Sequence, residues 1–588
     1  MPRLNRLAAI ATILLIPVPG LLYAQDAPLK GKTVTANRGR LPDPLPLKFA
    51  GPPTTAAITP LDLATRLYKF ADDSMMGRQA GTLWNDKGTD YIESEVRRLG
   101  LLPAGENGTY FQSALVTREL ADGSTLGIDG AVLEPWKDFA PRDQGPTVRP
   151  VDGATVIYGG VFGDTASYLP ASQADGKIVV VRVGNGPDGQ PDHNIINRQQ
   201  LTFRYVNAAA IAVIYLDYAP PGYVDLAFRQ SGVEKKGAES DRVLPSYFYI
   251  TRQVAQTMFG VSPDSLVTGM TGKPMQGHYA FENKVAPGRN VIAILPGSDP
   301  KLKSEYVAIG AHNDHIGFNH EPAEHDSVKA FMMVAAPQGA DNGEPKLTDS
   351  TVARIRTVTD SLRALHPARQ DSIYNGADDD GSGSMSVLEI AEAFAQSKAR
   401  PKRSILFIWH VGEELGLYGS AYFTDHPTVP RDSIVAELNM DMVGRGGAGD
   451  ATGVTKEGQM LHGGPGYVQL VGSRRLSTEL GDVIEKVNAD KKLGLTFDYS
   501  LDANGHPQNI YCRSDHYEYA RYGIPIAFFT SGGHADYHQV TDEPQYINYG
   551  NMAQVAKLVQ QSAIQIGNLD HPVVVDQPKP DPKGNCVQ

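Results

Sequence analysis

The stretch EYVAIGAHND, residues 305–314, decides how this chain is read. From Tyr306 to Ala311 the residues are apolar or glycine, and at His312 the run stops in polar residues. A short apolar run with so abrupt an end reads as a buried strand whose last residue emerges from the core. The same texture recurs outward from it. RNVIAILPG (289–297) precedes it, and SILFIWHV (404–411), ELNMDMVG (437–444) and IPIAFFT (524–530) follow. Between them GSMSVLEIAEAFAQ (383–396) has the spacing of an amphipathic helix, and residues 551–566 read as a closing helix. Strands alternating with helices imply an α/β fold built on a doubly wound sheet. Active sites form at the carboxyl edge of such a sheet.

That edge is where the chemistry of this sequence collects. GAHNDH supplies His312 and Asp314, NGADDDGSG supplies Asp379, and WHVGEELGLYGS supplies Glu413 and Glu414. LNMDMVGR supplies Asp441, an acid amid apolar neighbours, and ADYHQVTDEP supplies Tyr537 and His538. A buried acid needs a partner. Two imidazoles and three carboxylates are the ligand types zinc takes, and five such groups suffice for two ions that share one carboxylate. Asp379, the central acid of three, is the bridging candidate, and one of the paired glutamates is left over to move a proton. Asp314 is placed to fix the second ring nitrogen of His312, as metal-bound histidines require. Tyr537 can offer a phenolic hydrogen bond to a developing oxyanion. His315 and His320 are read as loop residues, and His534 and Asp542 as supports rather than ligands.

The remaining sequence sets the frame. With 588 residues the chain exceeds one ordinary domain. A formal net charge of -12 argues against nucleic acid and against an anionic membrane surface as partners. Residues 1–24 have the signature of a secretory signal: Arg3 and Arg6, an apolar run from Leu7 to Ile16, then Leu22-Tyr23-Ala24. The run is too short to span a bilayer, so the expectation is an exported protein, periplasmic or extracellular, without membrane insertion. Residues 25–55 read as an arm or pro-segment, and 56–121 as the first part of the main domain. From 122 to 283 short β-branched runs such as ATVIYGGV and GKIVVVRVG alternate with turns, which predicts a small β-rich domain. Residues 284–570 complete the main domain, and the Pro- and Asp-rich tail 571–588 is expected to be disordered. Cys512 and Cys586 are the only cysteines; a bridge between them and two free thiols both remain open.

These motifs, in this order, resemble the co-catalytic zinc exopeptidases of metallopeptidase family twenty-eight, which includes secreted bacterial leucyl aminopeptidases, glutamate carboxypeptidase and the transferrin receptor. GRQAGT (77–82) and RSDHYEYARYGIP (513–525) also look like segments of that family, and 122–283 resembles the protease-associated domain often inserted there. The resemblance implies a mixed doubly wound sheet of the zinc-exopeptidase type and two zinc ions. It implies that His312 and Asp441 hold one ion and Glu414 and His538 the other, with Asp379 bridging. Asp314 would orient His312, Glu413 would be the general base, and Tyr537 would stabilise the tetrahedral intermediate. Ser514, Asp515 and His516 would be structural. Peptides are the implied substrates, cut from the N-terminus. The alternatives are a glutamate carboxypeptidase-like exopeptidase of the same fold and a non-catalytic, receptor-like binding protein. Arg445 and Arg513 lie near motifs but read as structural. One departure stands out: His312 and Asp379 are 67 residues apart, where the family has about a dozen. The extra segment, 319–374, is expected to form either a lid or pocket wall, or a surface excursion or oligomer contact. Oligomeric state is left open.

Overall fold

The computed structural model describes residues 34–35, 40–142, 148–185, 198–219, 232–237 and 243–588. The expected signal, 1–24, lies outside the described residues. The principal sheet contains β1 (Asn290–Leu295), β2 (Tyr306–His312), β3 (Ser404–His410), β4 (Ile434–Met440), β5 (Tyr467–Val471), β6 (Thr496–Asp498) and β7 (Ile526–Thr530). Its order is β6-β5-β7-β4-β2-β3-β1, and the short strands Leu102–Pro103 and Phe111–Gln112 pair with the outer side of β1. The four central strands β7, β4, β2 and β3 run parallel, whereas β1 and β5 join them antiparallel. The sheet is therefore mixed, as expected.

Helices cover both faces. The helices outside the 122–283 region are α1 (Pro60–Phe70), α2 (Leu83–Arg98), α3 (His325–Ala335), α4 (Asp349–Arg363), α5 (Gly383–Ala395), α6 (Tyr418–Asp425), α7 (Thr478–Lys491), α8 (His516–Ala520) and α9 (Tyr549–Gly567), of which α3 and α4 stand apart from the sheet. Successive strand residues point to opposite faces, and the core divides accordingly. Val307, Ile309, Ile405, Phe407 and Trp409 pack with residues of α1, α2, α5 and α9. Ala308, Leu406 and Ile408 pack on the other side with Phe423 of α6 and Tyr519 of α8. This two-sided burial explains why the strands read as continuous apolar runs rather than as alternating ones. The crossover through α5 and the one through α6 thus lie on opposite faces, which makes the sheet doubly wound.

The region expected to be β-rich is a second unit with its own core. Its eight-stranded sheet has a parallel centre, Thr155–Phe162, Ile178–Val183, Ala210–Ile214 and Ser246–Ile250. Short helices such as Arg252–Phe259 accompany this sheet. The Gly, Pro and Asp turns between its strands concealed these short helices from a reading by period.

The segment between β2 and α5 is framed by an antiparallel ribbon, Phe318–Glu324 with Gln370–Ile373, from which α3 and α4 project as a helical hairpin. The tail does not behave as its composition suggests. Cys586 is disulfide-bonded to Cys512, with Cα atoms 5.8 Å apart. Val573 and Gln588 are buried, and the Asp576 carboxylate accepts from the main chain and hydroxyl of Thr478. Specific anchors, rather than an apolar period, hold it. Among the described residues no helix is long and apolar enough to cross a membrane.

Candidate metal centre

The carboxyl ends of the parallel strands deliver the predicted residues to one place. His312 is the last residue of β2, Glu413 and Glu414 follow β3, Asp441 follows β4, and His538 sits in the loop after β7. Asp379 lies in the turn that opens α5. Its two carboxylate oxygens face different imidazoles: Oδ1 is 3.0 Å from His312 Nε2, and Oδ2 is 3.0 Å from His538 Nε2. Asp441 Oδ1 stands 3.7 Å from His312 Nε2, and Glu414 Oε2 stands 3.0 Å from His538 Nε2. Glu413 Oε2 is 4.0 Å from His312 Nε2. His538 has a left-handed backbone, with φ of 56°. Non-glycine residues adopt that conformation where the surroundings impose it, often at functional sites.

The supports are equally specific. Main-chain N–H groups of Asp378 and Asp379 donate to Asp542, and His534 Nε2 lies 3.2 Å from the Asp378 carboxylate. The Ser514 hydroxyl donates to Asp441 Oδ2 at 2.8 Å. Arg445 is buried between Asp536 and Asp450, a structural role. Asp314 departs from its expected mode. The ring Nδ1 of His312 meets the Asp314 main-chain oxygen at 3.1 Å, while the carboxylate stands 3.7 Å away. Asp314 Oδ1 instead accepts from the Glu413 main-chain N–H at 3.3 Å, so the residue braces two motifs at once. Asp380 lies near His312 and Asp441, but main-chain N–H groups of His312, Gly383 and Met442 occupy its oxygens.

Two further residues belong here that the motifs did not single out. His315, expected to be a loop residue, is buried with Nδ1 2.7 Å from Glu414 Oε1. Its spacing of three from His312 was the available signal. Arg78 is fully buried, and its guanidinium donates to the carbonyls of Phe70, Asn313, Asn375 and Gly376. It ties the loop of His312 to the loop of Asp379. Burial lowers its pKa to about 10, against the pull of Asp379 and Asp380. It lies in GRQAGT (77–82), but that stretch gave no role for the arginine.

The electrostatics follow from this crowding. Burial alone would depress His312, but Asp441, Asp314 and Asp379 outweigh it and hold its pKa well above the usual value. His538 is likewise desolvated, yet Asp379 and Glu414 raise it to about 10. Burial, reinforced by Asp441 and Glu414, raises Glu413 well above an ordinary carboxylate, with His312 opposing. Asp441 Oδ1 and His538 Nε2 are buried without a hydrogen-bond partner. Orphaned buried polar atoms within a cluster of acids call for a cation. The donors fall into two groups, His312 with Asp380 and Asp441, and His315 with Asp379, Glu414 and His538; the ligand atoms in each lie within 4.8 Å of one another. The donor set fits divalent ions of the zinc type.

Beside the acids a cleft of about 620 Å³ opens. Leu501, Ile510 and Phe528 form an apolar wall, and Arg513 and Tyr537 stand on its polar side. Gln338 and Asp341 of the extra segment also line it, and Asp341 pairs with Arg513 at 3.0 Å.

Residues 290–563 match the model of Peptidase family M28. That match covers 274 of the 588 residues, a little under half of the chain, and is a likeness to that family. Leupeptin-inactivating enzyme 1 of Streptomyces exfoliatus is 30% identical over 178 residues, 30% of this chain and 33% of that protein. Leucine aminopeptidase 1 of Coccidioides posadasii is 30% identical over 233 residues, 38% of this chain and 54% of that protein. The chain thus spans a third to about half the length of these relatives. Among solved structures, the aminopeptidase from Aneurinibacillus sp. strain AM-1 aligns over 88% of this chain and 96% of its own, at 17% identity and a TM-score of 0.39. The M28 match includes every predicted metal-centre residue, from His312 to His538.

Proposed function

We propose that this protein is an exported, zinc-dependent aminopeptidase that removes N-terminal residues from peptides. The observation that carries the reading is Asp379, whose two oxygens each sit 3.0 Å from a different imidazole, as a carboxylate shared by two metal ions requires. His312 and Asp441 would hold one zinc, Glu414 and His538 the other, with Asp379 between them. Zinc bound there supplies Lewis acidity and lowers the pKa of water to near neutrality. The chain's own residues do the rest. Glu413, its pKa raised by burial among acids, takes a proton from the attacking water and returns one to the leaving amine nitrogen. Asp314 fixes the main chain of Glu413. Burial and nearby acids hold the Tyr537 phenol well above its usual pKa, so it stays protonated and can donate to the developing oxyanion. The apolar wall of Leu501, Ile510 and Phe528 suits an uncharged side chain at the residue removed.

A carboxypeptidase of this fold needs a cation free to receive the substrate's carboxylate. Arg513 stands in the cleft but is paired with Asp341, which disfavours that reading. The leucine aminopeptidase relatives favour N-terminal cleavage. The Cys512–Cys586 bridge supports an oxidising compartment and hence export. The inserted unit is read as a protease-associated domain on its resemblance alone. The test uses purified protein, a panel of peptides with free or blocked ends, product masses, and metal analysis. Stepwise loss from free N-termini, abolished by a chelator and restored by zinc, is the expected result. Loss only from C-termini would overturn the specificity, and a protein that retains no metal would support the binding-protein alternative.

A further inference from the structure

The loop after β2 carries a second histidine that the five-ligand scheme leaves unused. His315 is 1% exposed, and its Nδ1 lies 2.7 Å from Glu414 Oε1 and 3.6 Å from Asp379 Oδ2. Its ring stands edge-on to that of His538, with centroids 5.5 Å apart. The ring is also held in place from behind. A Cβ on Gly376 would come within 2.6 Å of His315 Cγ and 2.7 Å of Cδ2, so only glycine at 376 leaves room for the ring. Nε2 is buried and has no hydrogen-bond partner, whichever nitrogen carries the proton. Nδ1 is therefore the one ring atom that meets a ligand-type neighbour, and it is aimed into the donor cluster.

We infer that His315 is a fourth protein ligand, through Nδ1, to the ion held by Asp379, Glu414 and His538. The inference rests on the two-zinc reading above and goes beyond it by making the two positions unequal. Four protein donors close a zinc site, whereas three leave a position open for a small molecule. The Glu414 position would be closed and tight. The position at His312, Asp441 and Asp379 would stay open, and it is the one beside which Glu413 stands. Limited chelation should then strip the open position first.

X-ray absorption on the fully zinc-loaded protein counts the imidazoles directly. The expected spectrum requires three imidazoles over the two zinc ions, falling to two in His315→Ala. Competition titration of the metal-free protein should show one of two affinities weakened more than about 100-fold in His315→Ala, beyond the loss typical of an orienting residue. The other affinity should be unchanged, which serves as the control for folding. His315→Asn keeps a donor near the position of Nδ1 but is a poor ligand. If it binds both ions as the wild type does, His315 is only a hydrogen-bond donor to Glu414 and the inference falls. A wild-type spectrum with two imidazoles also overturns it, and needs no variant to fold. Wild-type protein that binds no zinc would instead remove the metal-centre reading itself.

Discussion

Glu413 and Glu414 are adjacent in sequence, yet their surroundings push them in opposite directions. Glu413 is raised by burial and by Asp441 and Glu414, while Glu414 is lowered by His315 and His538 in spite of its burial. Two neighbouring carboxylates with opposed shifts are suited to different tasks, one to carry a proton and one to remain an anion beside a cation. Glu413→Gln should therefore lower kcat by about 10²–10⁴-fold with zinc content unchanged. Glu414→Gln should lose zinc itself, which metal analysis of the two variants separates. Arg78 makes a second prediction at this scale. Its planar fork satisfies four carbonyls that a lysine ammonium cannot span, so Arg78→Lys should cost about 2–3 kcal/mol in denaturant unfolding and weaken metal retention. The contrast also shows what was legible. Every predicted ligand sat in a motif beside a strand end or a glycine turn, so chemistry and position agreed in the sequence. Three of the four main-chain oxygens that Arg78 holds lie more than two hundred residues away, and no local pattern records that.

Among the elements, the extra segment between β2 and α5 has the most to explain, because it separates two ligand motifs by a long excursion. The ribbon at its base closes that excursion, so His312 and Asp379 are returned to the same place. Buried pairs then fasten α3 to the loop that carries His538: Lys329 donates to Asp536 at 3.0 Å, and His325 Nε2 lies 2.8 Å from Glu543. Ala340 donates to the main-chain oxygen of Tyr537. Gln338 and Asp341 of the segment line the cleft; its sequence gave no sign of which neighbours it would meet. Its own integrity depends on Glu324, which caps α3 and reaches Arg363 of α4. Burial would raise that carboxyl, but Ser327 and Arg363 outweigh it and hold it at about 2. A depressed carboxylate stabilises above its unfolded value near 4.5, and the contribution is lost as pH falls from there toward 2. Glu324→Gln should lower hydrogen-exchange protection across α3 and α4 by about 1 kcal/mol at neutral pH. The difference from wild type should vanish near pH 2. A difference that persists there would assign the cap no charge-dependent part.

For the molecule as a whole, the strands and helices of the principal sheet followed from period and burial, because a strand covered on both faces must be apolar throughout. The tail was not legible in this way. Its prolines and aspartates describe a segment with no core of its own, but it is held by the cores of others. The bridge to Cys512 closes a loop with a sequence separation of 74. The side chain of Gln588 accepts from the Tyr511 main chain at 3.0 Å and donates to the carbonyls of Leu501 and Ala503. The stretch so held, 501–512, includes Leu501 and Ile510 of the apolar wall. The tail is therefore a buttress of the cleft from outside. Cys586→Ser, or reduction of the bridge, should cost about 2–4 kcal/mol of stability on the loop-entropy account. It should also raise KM several-fold for substrates with a large apolar first residue. Zinc content should not change, and kcat should change little, because the donors are held by hydrogen bonds from other segments, among them Ser514 and Asp542. Equal losses in kcat and zinc would show instead that the bridge supports the sheet edge as a whole, and that the wall has no separate dependence on the tail.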